Sequence, residues 1–164
     1  MVQEATLVVI KPETIRRGLV GQVISRLEEL QLDIIGVKVV HVTRELAEAH
    51  YQALRDKPFF AELLEHIQGK LHHVSFVLAF VLAGPNAVER VRHVTGATHP
   101  EKADPRSIRG ALGRMTTSGL MENILHASST LEEAKREIPL WFKPEELLRH
   151  AASRTSDVPS KARG

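Results

Sequence analysis

The apolar residues of this chain fall into short β-branched runs separated by longer stretches with helical spacing. The first run ends at Lys11-Pro12, because proline cannot donate a hydrogen bond to a sheet ladder. Alternating or continuous apolar character over four to eight residues is typical of strands. The pattern therefore predicts four strands, the second and third of them buried, at residues 6–10, 34–40, 74–82 and 123–125.

Helical spacing of apolar residues predicts the elements between and after these strands. Thr43 is a suitable N-cap for one helix, and Gly69 closes another. Residues 96–119 are rich in Gly, Thr, Pro and Arg and lack periodicity, and a long irregular segment in a small domain is often functional. The predicted helices cover residues 19–30, 43–50, 63–67, 88–94 and 131–138.

The order of these elements favours an α/β fold of the α+β type. Two split strand–helix–strand units would form a ferredoxin-like, four-stranded antiparallel sheet with helices packed on one face. A doubly wound parallel sheet is the competing architecture, but the chain contains neither a G-x-x-x-x-G-K-[ST] nor a G-x-G-x-x-G pattern. A bound nucleotide would therefore not depend on a P-loop or a Rossmann turn.

Composition limits the class of protein without identifying it. The 164 residues suit one domain, and 43% hydrophobic with 26% charged residues is ordinary for a globular protein. The chain has no cysteine, no secretory signal and no apolar run long enough for a membrane helix, so a cytoplasmic protein without a membrane partner is expected. The predicted catalytic domain covers residues 1–150, and residues 151–164 are predicted to be a flexible tail.

Candidate chemistry centres on residues 123–129, just before the last predicted helix. His126 would lie at a bend between a strand and a loop, near a helix start where anions bind. Glu137 is within reach of this histidine through Ser128, and a carboxylate on one ring nitrogen leaves the other free to attack. The alternative is an ordinary histidine at the end of a strand.

Several polar residues at the ends of other elements suggest that a polyphosphate binds here. Lys11, Arg92, Thr98 and Arg109 would hold phosphoryl oxygens in line with the imidazole if they converged near it. Each also has a simpler explanation as a solvated surface residue. The pair His72-His73 lacks a metal-ligand spacing and is interpreted as a surface turn.

Ordered segments along almost the whole chain resemble the nucleoside diphosphate kinase family. Residues 6–12 (TLVVIKP) and 17–21 (RGLVG) look like its opening, and 123–128 (NILHAS) looks like its active-site signature. The other matching segments are residues 50–51 (HY), 57–60 (KPFF), 96–100 (GATHP), 107–110 (SIRG) and 141–146 (WFKPEE).

The resemblance implies a role for each matching residue. His126 would take the γ-phosphoryl group of a nucleoside triphosphate and give it to a diphosphate, with Glu137 and Ser128 orienting the ring. Phe59 would stack on the base beside Leu63, and Mg²⁺ would be held mainly by the phosphates. The phosphates would be bound by Lys11, Tyr51, Arg92, Thr98 and Arg109, and the ribose by Lys11 and Asn123.

Some residues depart from the family pattern. Ser129 stands where an aspartate usually follows the signature, and residues 70–75 and 111–122 are longer than expected. The family forms hexamers or tetramers, so a homo-oligomer is expected. One alternative is a nucleotide-binding regulator without efficient turnover. A nucleic-acid-binding module is the other, although specific nucleic-acid binding is not expected with only 4% aromatic residues and aliphatic strands.

Overall fold

The computed structural model describes residues 3–149. Its strands are β1 (Gln3–Ile10), β2 (Asp33–Val40), β3 (Val77–Pro85), β4 (Arg114–Met115), β5 (Met121–Glu122) and β6 (Leu125–Ala127). Its α-helices are α1 (Pro12–Arg16), α2 (Val20–Glu28), α3 (Arg44–His50), α4 (Phe60–Ile67), α5 (Ala87–Thr95), α6 (Ile108–Leu112) and α7 (Leu131–Trp141). Single 3₁₀ turns lie at Gln52–Leu54, Pro100–Lys102 and Pro144–Glu146. The predicted tail, residues 151–164, lies outside the described residues.

Four of the strands form one sheet in the order β2-β3-β1-β6. Every neighbouring pair is antiparallel, and Val9 of β1 lies opposite Ala79 of β3 on one side and His126 of β6 on the other. This order and direction confirm the predicted ferredoxin-like α+β fold. The register places His126 at an edge of the sheet, beside the central strand.

Helices cover both faces of the sheet, so the prediction of a single covered face is wrong. Because side chains alternate along a strand, Val8 and Ile10 face one core while Leu7 and Val9 face another. All four are completely buried, as expected for a central strand with two covered faces. The first core includes residues of α2 and α5, and the second includes residues of α3, α4 and α7.

The second strand was predicted to be buried, but it is a half-exposed edge strand. Val37 and Val39 of β2 are 58% and 64% exposed. A run of β-branched residues can belong to either environment, so periodicity alone did not distinguish them.

Several element boundaries also differ from the predicted ones. The last strand covers Leu125–Ala127 rather than 123–125, so His126 lies within it and not at the bend that follows. The irregular segment 96–119 contains α6, β4 and a 3₁₀ turn, and β4 pairs with β5 in a small hairpin. Thr43 caps α3 as predicted, since its hydroxyl accepts a hydrogen bond from the Leu46 amide at 3.1 Å. Among residues 3–149, no helix combines the length and apolarity that a bilayer crossing requires.

Candidate active site

A tight turn leads directly into β6, the strand that contains His126. The Leu125 amide donates to the Asn123 carbonyl at 2.9 Å, which encloses Ile124 in a three-residue turn. Ile124 has a φ of 78°, a strained value for a β-branched residue. Its carbonyl accepts from the Lys11 amide at 3.0 Å and from the Thr14 hydroxyl at 2.6 Å. The start of α1 therefore holds the strained turn in place.

His126, Glu137 and Ser128 are directly connected. Nε2 of His126 and the hydroxyl of Ser128 each lie 2.8 Å from Oε2 of Glu137. Glu137 thus contacts the imidazole itself, where the sequence had suggested contact through Ser128. A carboxylate accepts only, so Nε2 carries the proton and Nδ1 keeps a lone pair. Ser128 is fully buried, whereas the His126 side chain is 17% exposed.

The surroundings of His126 keep its ring neutral. Burial, together with the positive charges of Lys11 and Arg109, lowers the pKa of His126 to about 3. Burial raises the pKa of Glu137 above its ordinary value. A neutral imidazole with a free nitrogen is a competent nucleophile at physiological pH.

His50 is a neighbour of His126 to which the sequence had assigned no role in the site. Its ring meets His126 edge-on with a centroid separation of 4.3 Å. Trp141 donates its indole N–H to Nδ1 of His50 at 3.1 Å, so that nitrogen is an acceptor. Burial and the neighbouring His126 lower the pKa of His50 well below its ordinary value. The His50 ring beside His126 is therefore uncharged.

Two of the predicted phosphate-binding cations are buried and held by the backbone or by Asn123. Nζ of Lys11 donates to Oδ1 of Asn123 at 2.6 Å, and burial lowers the pKa of Lys11 to about 8. Arg109 donates to the carbonyls of Asn123, Gly96 and Leu125 at 3.1, 3.2 and 2.8 Å. A guanidinium has five N–H groups, so two remain for a ligand. Neither cation is the solvated surface charge of the simpler explanation.

The predicted residues line one pocket of about 500 Å³, with Ser128 buried behind Glu137. Phe59 lines this pocket, is 48% exposed and belongs to neither hydrophobic core. The predicted residues found in the pocket lining are Lys11, Tyr51, Phe59, Leu63, Arg92, Thr98, Arg109, Asn123, His126 and Glu137.

Two carboxylates that accept hydrogen bonds from backbone amides within three residues of His126 were missed. Oε1 of Glu13, a completely buried residue, accepts from the Ile124 amide at 3.1 Å. Oε2 of Glu133 accepts from the Ser129 amide at 3.1 Å, and Glu133 lines the pocket. The T-x-x-E spacing from Thr130 to Glu133 is a helix-start signature that could have drawn attention to Glu133. A carboxylate therefore lies beside the serine that replaces the family's usual aspartate.

Residues 70–75 and 111–122, the two segments predicted to be longer than in the family, meet beside the pocket. Leu120, in the loop between β4 and β5, and Met121, the first residue of β5, line the pocket. Nε2 of His72 lies 3.0 Å from Oε1 of Glu122, and the His72 side chain is only 8% exposed. The predicted turn is confirmed at both histidines and His73 is exposed, but the prediction of a surface position is wrong for His72.

This geometry defines a class of site: a neutral, carboxylate-oriented histidine that faces a pocket with four cationic side chains, those of Lys11, Arg92, Arg109 and Arg136. Such a site can accept a phosphoryl group from a polyphosphate, since positioning and charge neutralisation are the main requirements of that transfer.

The family model for nucleoside diphosphate kinase matches residues 4–147. The chain is 47% identical over 147 residues to a nucleoside diphosphate kinase of Pyrococcus horikoshii, with 90% of each chain covered. It is also 47% identical over 145 residues to the enzyme of Thermus thermophilus, covering 88% of this chain and 99% of that one. The chain belongs to the nucleoside diphosphate kinase family.

Solved structures of the family have the same fold. One is a transition-state mimic of the enzyme from Borrelia burgdorferi, with bound vanadate and ADP. It superposes with a TM-score of 0.82 at 34% identity, covering 92% of this chain and 93% of that one. The halophilic enzyme from Halobacterium salinarum, in complex with CDP, gives a TM-score of 0.81 at 36% identity, covering 91% and 93%.

Proposed function

We propose that this protein is a nucleoside diphosphate kinase that transfers the γ-phosphoryl group of a nucleoside triphosphate, mainly ATP, to a nucleoside diphosphate through phospho-His126. The observation that carries the proposal is the 2.8 Å contact between Nε2 of His126 and Glu137 at a pocket that also contains Lys11, Arg92 and Arg109. The ADP with vanadate and the CDP bound by the two family structures are nucleoside diphosphates, which supports the substrate class.

The reaction proceeds in two halves. In the first half, Nδ1 of His126 forms a bond to the γ-phosphorus while the bond from that phosphorus to the β–γ bridging oxygen breaks. The nucleoside diphosphate then leaves, and a different diphosphate takes the group in the reverse step. Glu137 stabilises the positive charge that the ring gains, and Ser128 donates a hydrogen bond that holds Glu137.

The remaining pocket residues bind the nucleotide. Charged and hydroxyl groups hold the phosphates, and Lys11 with Asn123 also reaches the ribose. Phe59 stacks on the base beside Leu63 and offers it no hydrogen bond, so the site accepts any base. The phosphate ligands are Lys11, Tyr51, Arg92, Thr98 and Arg109.

Mg²⁺ is proposed as the cofactor that accompanies the nucleotide. A pocket that contains Lys11, Arg92 and Arg109 repels a bare cation, so the ion enters on the phosphate oxygens and not in a protein cage. Its chemistry there is to neutralise phosphate charge. The protein side chains position the phosphates, and His126 performs the covalent step.

Other expectations remain predictions. These are a homo-oligomer, hexameric or tetrameric, a cytoplasmic location, and a catalytic domain of residues 1–150 followed by a tail of residues 151–164. A regulator without turnover is not favoured, because Ser129 changes neither the imidazole nor the carboxylate that orients it.

Initial-rate kinetics test the proposed activity. A triphosphate donor and a diphosphate with a different base are varied against each other in the presence of Mg²⁺. Double-reciprocal plots with parallel lines are expected, because the first product leaves before the second substrate binds. Intersecting lines, or nucleotide binding without turnover, would contradict a two-step transfer through the protein.

A further inference from the structure

A second group of ionisable side chains borders the nucleotide pocket through His66 and includes neither His126 nor Glu137. It consists of Glu13 from α1, His66 from α4 and His72 from the turn that follows α4. One ligand atom from each lies within 4.8 Å of the other two. The Glu13 side chain is fully buried, and those of His66 and His72 are only 6% and 8% exposed. Two imidazoles and a carboxylate so close together are costly to bury unless each finds a partner.

Glu13 directs one carboxylate oxygen into this cluster. Oε1 accepts from the Ile124 amide, while Oε2 lies 2.7 Å from Nε2 of His66. The second oxygen is thus directed at the histidines and remains a strong ligand for a cation.

His72 has one nitrogen in use and one without a partner. Nε2 faces Oε1 of Glu122 at 3.0 Å, and a carboxylate in that position requires the proton on Nε2. Its buried Nδ1 has no hydrogen-bond partner among the described residues. An imidazole that donates to a carboxylate through one nitrogen and offers a lone pair on the other is the usual arrangement of a metal-bound histidine.

Glu122 is itself held by several partners. Nε of Arg114 donates to its Oε2 at 2.6 Å, and Arg17 lies 3.6 Å from the same oxygen. These bonds tie the β4–β5 hairpin to α1 and, through His72, to the turn after α4. Glu122 therefore has the anchorage needed to fix the orientation and tautomer of His72.

We propose that Glu13, His66 and His72 bind a divalent transition-metal ion of the zinc class at a structural site that is distinct from the Mg²⁺–nucleotide site. Two imidazole nitrogens and one carboxylate oxygen match the preferences of Zn²⁺, and Mg²⁺ disfavours imidazole. The ion takes the place of the proton between His66 and Glu13, with water as a fourth ligand. It would join α1, α4 and the following turn on the side of the pocket that borders His66.

The competing explanation is that the cluster is two hydrogen-bonded pairs, His66–Glu13 and His72–Glu122, with no ion. Substitution with glutamine separates the two explanations. His66→Gln and His72→Gln retain a donor for Glu13 and Glu122 but remove an imidazole ligand. His73→Asn is a matched control, because residue 73 is exposed, adjacent to His72 and in a left-handed conformation that asparagine tolerates.

Cobalt is a suitable probe, since Co²⁺ substitutes for Zn²⁺ and its visible absorption reports coordination. The full chain is freed of metal with a chelator and titrated with Co²⁺, and then Zn²⁺ is added to displace it. His126→Ala is included because His50, His126 and Glu137 form a second group of possible ligands. Circular dichroism and thermal unfolding identify variants that have lost their fold.

We expect the wild type, His73→Asn and His126→Ala to bind one equivalent of Co²⁺. His66→Gln and His72→Gln should weaken that binding more than tenfold while remaining folded. Zn²⁺ should raise the Tm of the wild type and leave that of His72→Gln unchanged. The proposal is overturned if the wild type gives no cobalt spectrum, if both glutamine variants bind like the wild type, or if binding is lost only in His126→Ala.

Discussion

Nε2 of His126 and Oε2 of Glu137 are 2.8 Å apart, although one residue belongs to an edge strand and the other to the last helix. Thr130 caps that helix through the Glu133 amide at 3.1 Å, which sets where α7 begins. Glu137 then lies on the second turn, where its carboxylate reaches back over the strand. The tautomer of His126 therefore depends on how α7 packs against β6.

Replacing Glu137 with glutamine should lower kcat by about a hundredfold. The amide retains the shape of the side chain but cannot stabilise the positive charge that the ring gains during attack at Nδ1. The KM for the nucleotide should change little, since Glu137 contacts the histidine and not the phosphates in the proposed mechanism. Steady-state kinetics, with circular dichroism as a check on folding, would measure this effect, and a kcat within threefold of wild type would contradict it.

Arg92 and Arg109 should have different effects when each is replaced by alanine. Arg92 makes no side-chain hydrogen bond among the described residues, so Arg92→Ala should raise the nucleotide KM about tenfold without changing the Tm. Arg109→Ala also removes the donor for three carbonyls and should lower the free energy of unfolding by about 2–4 kcal/mol. Kinetics and thermal unfolding of both variants test this difference. Equal stability of the two variants would contradict the prediction.

The value of kcat/KM should fall as the pH rises above about 8 and should stay constant in the mildly acid range. The pKa of His126 is lowered to about 3, so the nucleophile stays neutral throughout the mildly acid range. The pKa of Lys11 is lowered to about 8, so its positive charge is lost as the pH rises above that value. In Lys11→Arg the guanidinium stays charged, and the alkaline decline should move to higher pH. An acid limb near the ordinary histidine pKa would contradict this account.

The free energy of unfolding should begin to fall at a higher pH than the protonation of carboxylates alone would cause. His126 and His50 both have lowered pKa values in the folded protein, whereas in the unfolded chain histidine takes up a proton near pH 6.5. Below that pH the unfolded state binds more protons, so the free energy of unfolding decreases as the pH falls toward the folded pKa. Calorimetry between about pH 8 and pH 4 should show a falling Tm, and His126→Asn should flatten the curve.

Glu133 should compensate for the serine at position 129. If its carboxylate takes the role of the usual aspartate, Glu133→Gln should lower kcat several-fold. Adding Ser129→Asp to that variant should restore most of the loss, while Ser129→Asp alone should have little effect. The double-mutant cycle would contradict this assignment if the two changes were simply additive.

The sequence predicted the fold because its strands and helices have distinct periodicities. The run through Val9 and the spacing before Gly69 identified a central strand and a helix, and their order allowed few topologies. Edge exposure could not be predicted in the same way. Val37 and Val39 would suit a buried or an exposed strand face equally, and only the arrangement of the sheet decides which occurs.

Residue patterns indicated His126, Glu137 and the candidate phosphate ligands, and the resemblance to a family added the base- and ribose-binding residues. Neither predicted the cluster of Glu13, His66 and His72. Lys11 and Arg109 are far from His126 in sequence, and only folding brings them into one pocket. His72 was interpreted as part of a surface turn because its partners, Glu122 and His66, lie in separate segments without a regular spacing. Contacts between segments that are distant in sequence leave no local pattern, and no spacing rule would have found them.

The most direct test of the central claim is to follow labelled phosphate through the protein. The wild type and His126→Ala are incubated with Mg²⁺ and ATP labelled at the γ-phosphate, and then chased with a diphosphate carrying a different base. The wild type should acquire an acid-labile, alkali-stable label on His126 that moves to the diphosphate, and the variant should bind nucleotide without becoming labelled. Labelling that persists in His126→Ala, or a wild type that binds but never labels, would contradict the account.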